Sequence, residues 1–303
     1  MPDTPERQRQ ELEFHIALGA VLRWVKGQAA PETGHAYTHA RQLWERLGSP
    51  SEYLDVPYGQ SRYHAFRGEF DLALSLDEGL LRLSRQRNDT AGLVLGHHSS
   101  GRNLMVLGRF ASSRLHLKEV LALYDPNSDR SLVYQAEVPP HVLAQAYLGN
   151  GLFCLGFADQ ALAMSNAAIA EARRLAHPPS LAFSSMMGTR LLSLIGDTAV
   201  LGEHVDRLVE LATEQGFPFW RAQGTIFSGW VKVINGDVTG GIFLLRSGSA
   251  AYRATGAVLW SLIILAFWRG HARSQGELKR RRLSWTMLCR LLKRQGSAGS
   301  RQS

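Results

Sequence analysis

The chain has 303 residues, of which 45% are hydrophobic, and this composition is typical of a helical protein with a sizeable core. Its two cysteines, Cys154 and Cys289, are too few for a disulfide framework. The net charge of +8 is confined to the end of the chain. Residues 1–256 hold 24 basic and 25 acidic residues, whereas residues 257–303 hold 10 basic residues and one acidic residue. The pI therefore does not indicate nucleic-acid binding by the body of the protein.

The first residues are polar and contain no apolar segment of the kind that a secretory signal requires. No apolar run approaches the roughly 18 residues that a membrane-spanning helix needs. We therefore expect a cytoplasmic protein.

Helical segments follow one another along the chain, separated by glycine or proline. Apolar residues recur at helical spacing in each segment, and alternating strand patterns are nearly absent. One connection, residues 127–140, is irregular and ends at Pro139-Pro140. The predicted helices span residues 5–27, 31–47, 51–67, 71–87, 91–107, 111–124, 141–155, 159–176, 180–195, 200–214, 219–234 and 240–254.

Five glycines divide these helices into units, at intervals of 40, 48, 40 and 40 residues. Glycine favours the left-handed conformation that ends one helix and starts the turn to the next. A fixed period of this size predicts a stacked array, because one helix pair cannot bury its apolar face alone. The glycines are Gly68, Gly108, Gly156, Gly196 and Gly236.

The units resemble the tetratricopeptide repeat. In that pattern an aromatic residue follows the turn glycine by two positions and a small residue follows three later, as in Gly68, Phe70 and Ala73. A small residue seven positions before the turn is supplied three times, by Gly101, Gly149 and Gly229. The fold expected from this resemblance is an all-α solenoid of about six antiparallel helix pairs, formed by residues 1–256.

Residues 5–257 also resemble the C-terminal repeat region of bacterial multidomain signalling proteins. Those proteins carry a class III adenylate/guanylate cyclase domain and a P-loop ATPase domain before their tetratricopeptide repeats. No P-loop motif and no paired metal-binding aspartates occur in this chain, so the resemblance brings no catalytic residues and no cofactor with it. The stretches that carry it are residues 6–13, 30–37, 56–64, 216–218, 220–224 and 248–256.

Histidine and serine clusters do not predict a catalytic or metal site. His35 and His39, and the adjacent His97 and His98, lack companions at ligand spacing, so we interpret them as surface or packing residues. The sequences at residues 99–101 and 247–249 lie inside predicted helices rather than in a strand-to-helix turn that exposes a nucleophile.

The inner face of the array is the predicted binding surface. In the tetratricopeptide pattern, an exposed position of the first helix of each pair lies six residues before the turn glycine. A mildly basic, hydrogen-bonding groove there suits an acidic peptide or protein surface. The alternative is an ordinary solvated face. The residues at this position are Arg62, Arg102, Asn150, Arg190 and Trp230.

From Val258 onward the resemblance stops. Residues 257–303 form a basic, non-homologous tail whose composition suggests translation in a shifted frame, which would make the chain a truncated array. The tail could also anchor the protein on anionic lipid or bind nucleic acid nonspecifically, and we favour an extension with no selected function.

The sequence therefore predicts a non-catalytic repeat module whose partner is a protein or peptide. Two alternatives stay open. One is a detached regulatory part of a cyclase–ATPase enzyme, with such domains of a related chain as partners. The other is a membrane-tethered adaptor that acts through the tail.

Overall fold

The computed structural model describes residues 4–125 and 136–259, without the side chain of Trp24. These residues form twelve α-helices and one short 3-10 helix, Ser51–Tyr53, and contain no strand. The predicted all-α fold is confirmed. The helices are α1 (Pro5–Val25), α2 (Pro31–Arg46), α3 (Asp55–Phe66), α4 (Phe70–Arg87), α5 (Thr90–Val106), α6 (Phe110–Leu123), α7 (Pro140–Cys154), α8 (Ala158–Arg174), α9 (Pro178–Ile195), α10 (Thr198–Glu214), α11 (Pro218–Ile234) and α12 (Val238–Ala254).

Consecutive helices pack as six pairs, and each pair stacks on the next. The five glycines predicted to lie at the turn between the two helices of a pair all have positive φ values, from 75° at Gly108 to 95° at Gly236. A side chain is strained in this left-handed region, so glycine fixes the turns of α3–α4, α5–α6, α7–α8, α9–α10 and α11–α12.

Three further glycines let the two helices of a pair approach closely. A Cβ atom added at Gly229 in α11 would lie 2.8 Å from the carbonyl oxygen of Gly241 in α12. At Gly149 in α7 it would lie 3.0 Å from the carbonyl oxygen of Ala161 in α8. Gly101 faces the side chain of Leu117 in the same way. The predicted small position therefore marks the crossing point of these three pairs.

The predicted helix over residues 51–67 is divided in the structure. Its first three residues form the 3-10 helix, and α3 begins at Asp55. Pro57 explains the division, because proline has no N–H for the carbonyl four residues earlier and is tolerated only in the first helical turn. The Trp44 indole also donates a hydrogen bond to the carbonyl of Pro50, 2.9 Å away, and this bond fixes the preceding turn.

The array closes on itself, so that its last pair touches the first two pairs. The N–H of Val258 donates a hydrogen bond to the carbonyl of Phe66 at the end of α3, over 3.0 Å. The ring of Phe66 also contacts that of Phe219 in α11, with centroids 5.8 Å apart. The loop after α1 lies beside the end of the last pair, since a Cβ atom added at Gly256 would lie 3.0 Å from the backbone of Ala29. Residues 257–259 of the predicted tail thus pack onto the body, and residues 260–303 lie outside the described residues.

Candidate functional site

The first helices of the pairs surround a central cavity of about 60 Å³. Helices α3, α5, α7, α9 and α11 all contribute to its wall, and so do two loops. A cavity of this size holds a few water molecules or one small polar group. Its main polar and aromatic lining residues are Gln28, Tyr58, Arg62, His98, Arg102, Glu137, Tyr147, Arg190, Trp220 and Gln223.

The structure brings three of the five predicted inner-face residues together. Arg62, Arg102 and Arg190 all line the cavity. Asn150 is buried beside them in α7, where its amide donates hydrogen bonds to the carbonyls of Met187, over 3.0 Å, and Ala146. Trp230 does not line the cavity. Its half-buried side chain packs against the core cluster of α9, α10 and α11 instead.

These arginines are much less exposed than the predicted groove requires. Arg102 is 2% exposed and Arg190 is 6% exposed. The repeat pattern places them correctly on the inner side, but it gives no information about the closure of the array. Contact between the first and last pairs encloses the inner face, and the segment from Ala136 to Val138 fills part of it.

Glu137 is the inner-face residue that the sequence reasoning missed. Its carboxylate forms ion pairs with Arg23 of α1 and, over 3.0 Å, with Arg62 of α3. Only 12% of the glutamate side chain is exposed. The backbone of Glu137 has a φ of 66°, a left-handed conformation that is uncommon for glutamate. One signal was visible in the sequence, since Glu137 is the single acidic residue between two apolar neighbours just before Pro139-Pro140.

The ion pair keeps Arg62 charged. Burial by itself lowers the pKa of Arg62, but the Glu137 carboxylate and the Tyr58 hydroxyl outweigh burial, so that the pKa is raised. A buried charge of this kind is tolerated only when it is paired. Glu137 therefore acts as an internal carboxylate ligand of two arginines.

Arg102 lies in the same cavity, and one of its nitrogens is unsatisfied. Its Nε donates a hydrogen bond to Oδ1 of Asn103 over 3.1 Å. Its Nη2 atom is buried without a hydrogen-bond partner among the described residues. Because such a group loses its hydration without compensation, Nη2 is a donor suited to an acceptor that enters the cavity.

Behind Arg102, Asp77 of α4 connects three helices. Its carboxylate accepts hydrogen bonds from the hydroxyls of Ser61 in α3 and Ser99 in α5, at 2.5 and 2.6 Å, and from the Asn103 amide at 2.8 Å. Burial raises the pKa of Asp77 to about 6, although Arg102 and these donors act in the opposite direction. Ser99, which the sequence analysis assigned to helix packing rather than catalysis, is part of this network.

Arg190 and the hydrogen-bonded pair of Tyr58 and His98 also line the cavity. Arg190 donates hydrogen bonds to Oε1 of Gln223 and to Sδ of Met187, and burial lowers its pKa to about 10. The hydroxyl of Tyr58 shares a hydrogen bond of 2.9 Å with Nδ1 of His98. Burial lowers the pKa of His98 well below its ordinary value, so this ring is neutral at pH 7. The positive charge of the cavity therefore comes from arginine alone.

Comparisons with known proteins identify the fold only. No protein-family model and no curated protein matches the chain. Among solved structures, a Rap protein complexed with Competence and Sporulation Factor is 12% identical, covers 98% of this chain and 89% of its own, and superposes with a TM-score of 0.58. The fold is of the tetratricopeptide-repeat type. A complex of the TPR2AB domain of yeast Sti1 is 13% identical and covers 86% of this chain and 98% of its own, with a TM-score of 0.33.

Among the helices of residues 4–125 and 136–259, none combines the length and apolar character that crossing a bilayer requires.

Proposed function

We propose that the chain is a protein-interaction scaffold without catalytic activity of its own, and that it binds a carboxylate of a protein or peptide on its inner face. The observation that supports this proposal is the pair of ion pairs that the Glu137 carboxylate forms with Arg23 and Arg62 on this face. Arginine is the side chain best suited to bind carboxylates in a buried setting, because its planar donors match the two carboxylate oxygens.

The inner face offers more donors than Glu137 uses. Arg102 has a nitrogen in the same cavity without a hydrogen-bond partner among the described residues. Arg190, which donates hydrogen bonds to Gln223 and Met187, also lines the cavity. A bound segment with one acidic group would replace Glu137 at Arg23 and Arg62, and a second acceptor would reach Arg102. The partner class that fits is therefore an acidic peptide or an acidic protein segment.

Binding requires a change of shape, since a cavity of about 60 Å³ cannot hold a peptide. The ligand would displace the segment from Ala136 to Val138 and separate the contact between Phe66 and Val258. The free energy of binding would then shift the array from a closed to an open state, and this shift could be passed to a neighbouring domain.

A synthetic peptide of residues 134–140 is the direct probe, because it carries the carboxylate that the site already holds. We expect it to bind the Glu137→Gln protein more tightly than the wild type, in which the internal glutamate competes. A control peptide with glutamine in place of glutamate should bind at least ~10-fold more weakly, as expected for the loss of a charged hydrogen bond.

Two further variants locate the site. Arg62→Gln in the Glu137→Gln background should abolish peptide binding, whereas Arg207→Gln should leave it unchanged, because Arg207 is exposed on α10 and pairs with Glu203. Circular dichroism must show that each variant is folded. Equal binding of both peptides to all variants would show that the inner arginines do not select a carboxylate.

The regulatory alternative, a detached part of a cyclase–ATPase enzyme, rests on the sequence resemblance of residues 5–257. A pull-down from the native lysate, with wild-type protein beside an Arg62/Arg102/Arg190→Glu variant, tests it. Recovery of a cyclase or ATPase chain by the wild type alone would favour this alternative. The membrane-adaptor alternative concerns the tail, and it predicts that removal of residues 258–303 abolishes binding to anionic vesicles.

A further inference from the structure

Two histidines and a glutamate meet between the first two helices, away from the central cavity. Glu11 and His15 lie four residues apart on one face of α1, and His39 lies on α2. One ligand atom from each of the three side chains lies within 4.8 Å of the other two. The sequence analysis considered His39 together with His35 on the same helix, whereas in the structure Glu11 and His15 approach His39 from the neighbouring helix.

One distance in the cluster matches the coordination of a tetrahedral ion. Nε2 of His39 lies 3.2 Å from Oε1 of Glu11. Two ligand atoms at the usual ~2.0–2.2 Å from Zn²⁺ are about 3.3 Å apart when the geometry is tetrahedral. The rings of His15 and His39 have their centroids 4.4 Å apart, and one nitrogen of each ring lies within 4.8 Å of the other.

Within the part of the chain that the structure describes, the lack of a hydrogen-bond partner for one ring nitrogen of His15 also suits a metal ligand. Its Nδ1 atom is buried and has no hydrogen-bond partner among the described residues. A buried ring nitrogen without a hydrogen-bond partner can bind a metal ion directly.

We propose that Glu11, His15 and His39 form a binding site for Zn²⁺ that links α1 to α2. Two imidazoles and one carboxylate are a donor set that zinc accepts, with water or a partner's side chain in the fourth position. That position is open, since the side chains of His39 and Glu11 are 49% and 41% exposed. The ion would stabilise the packing of α1 on α2 within this pair. This inference is independent of the proposed function.

The test uses the full-length protein after removal of metals with a chelator, titrated with Zn²⁺ by calorimetry. We expect one equivalent to bind tightly, and Co²⁺ in its place to give the visible spectrum of a tetrahedral site. His15→Ala, His39→Ala and Glu11→Gln should each weaken binding by more than the roughly 10–100-fold that loss of an outer-shell partner costs. They should also remove the rise in melting temperature that Zn²⁺ produces.

His97→Ala is the matched control. His97 and His116 form a second close pair, with centroids 5.0 Å apart, but no carboxylate completes a cluster with them among residues 4–125 and 136–259. This variant should bind Zn²⁺ like the wild type. If His15→Ala does not fold, His39→Ala still decides the question, because His39 is half-exposed. The proposal is overturned if the wild type takes up no Zn²⁺, or if uptake is the same in the wild type and in the three cluster variants.

Discussion

The crossing of α11 and α12 predicts that one substitution has opposite effects at two glycines of this chain. In Gly229→Ala the new Cβ would lie 2.8 Å from the carbonyl oxygen of Gly241 and 2.8 Å from the amide nitrogen of Leu245. Both are backbone atoms, so they cannot rotate away as the end of a side chain can. The helices of the last pair would have to move apart by several tenths of an ångström.

The expected loss follows from two opposing effects. Adding a methyl group to a closely packed contact costs about 1–3 kcal/mol. Replacing glycine by alanine inside a helix contributes about 1 kcal/mol in the other direction. We expect Gly229→Ala to lower the free energy of unfolding by about 1–2 kcal/mol, since movement of backbone atoms puts the packing cost at the upper end of its range.

Gly79 is the control, because it lies inside α4 and an added Cβ would meet nothing within 4 Å. Gly79→Ala should therefore raise the free energy of unfolding by up to about 1 kcal/mol. Urea unfolding followed by far-ultraviolet circular dichroism measures both values, with the slope checked for a loss of cooperativity. If Gly229→Ala is as stable as the wild type, or if both variants change in the same direction, the close crossing is not what selects glycine.

Three other predictions follow. The free energy of unfolding of the wild type, relative to that of Asp77→Asn, should fall by up to about 3 kcal/mol between pH 4 and pH 7. The reason is that the pKa of Asp77 is about 6 in the folded protein and 3.8 as the reference value, so the folded state holds the proton more tightly. Equal pH profiles of the two proteins in urea titrations would contradict this. Gly27→Ala should increase the radius of gyration in small-angle X-ray scattering, because its Cβ would overlap the carbonyl of Thr255 where the first and last pairs meet. An unchanged radius of gyration would show that the contact tolerates the methyl group. Leu208→Ala should lower the free energy of unfolding by about 2–5 kcal/mol, because Leu208 is fully buried. Leu115→Ala, at a 68% exposed position, should lower it by less than about 0.5 kcal/mol. Similar losses of stability in thermal melts would contradict the assignment of the core.

The fold was largely predictable because its determinants are local and repeat. A turn glycine such as Gly196 must have a positive φ wherever it occurs in the array, and its spacing from its neighbours reports the length of a helix pair. The division before α3 was missed, although Pro57 was visible, because the apolar pattern continues through it. Helix existence was therefore more predictable than helix boundaries.

The candidate site was predictable only in part. The repeat register placed Arg62, Arg102 and Arg190 on the inner side, since the register is a property of each pair. It did not predict that Glu137 enters the same space, because an irregular connection has no register. The repeat register also gave the wrong position for Trp230, whose large ring packs against the core cluster of α9, α10 and α11. These differences depend on contacts between residues far apart in the sequence.

The contact between Phe66 and Val258 gives this array a different response to stretching from that of an open superhelix. An open superhelix stretches by many small adjustments, and each pair contributes a little. Among residues 4–125 and 136–259, the ends of the array are joined by the contacts of Phe66 and Ala29 with residues 256–258, and these contacts must separate before the ring can widen. The three cavity arginines would therefore become accessible to solvent together rather than one by one, and the apparent affinity of a ligand that needs them should be reduced by the fraction of molecules in which these contacts are open.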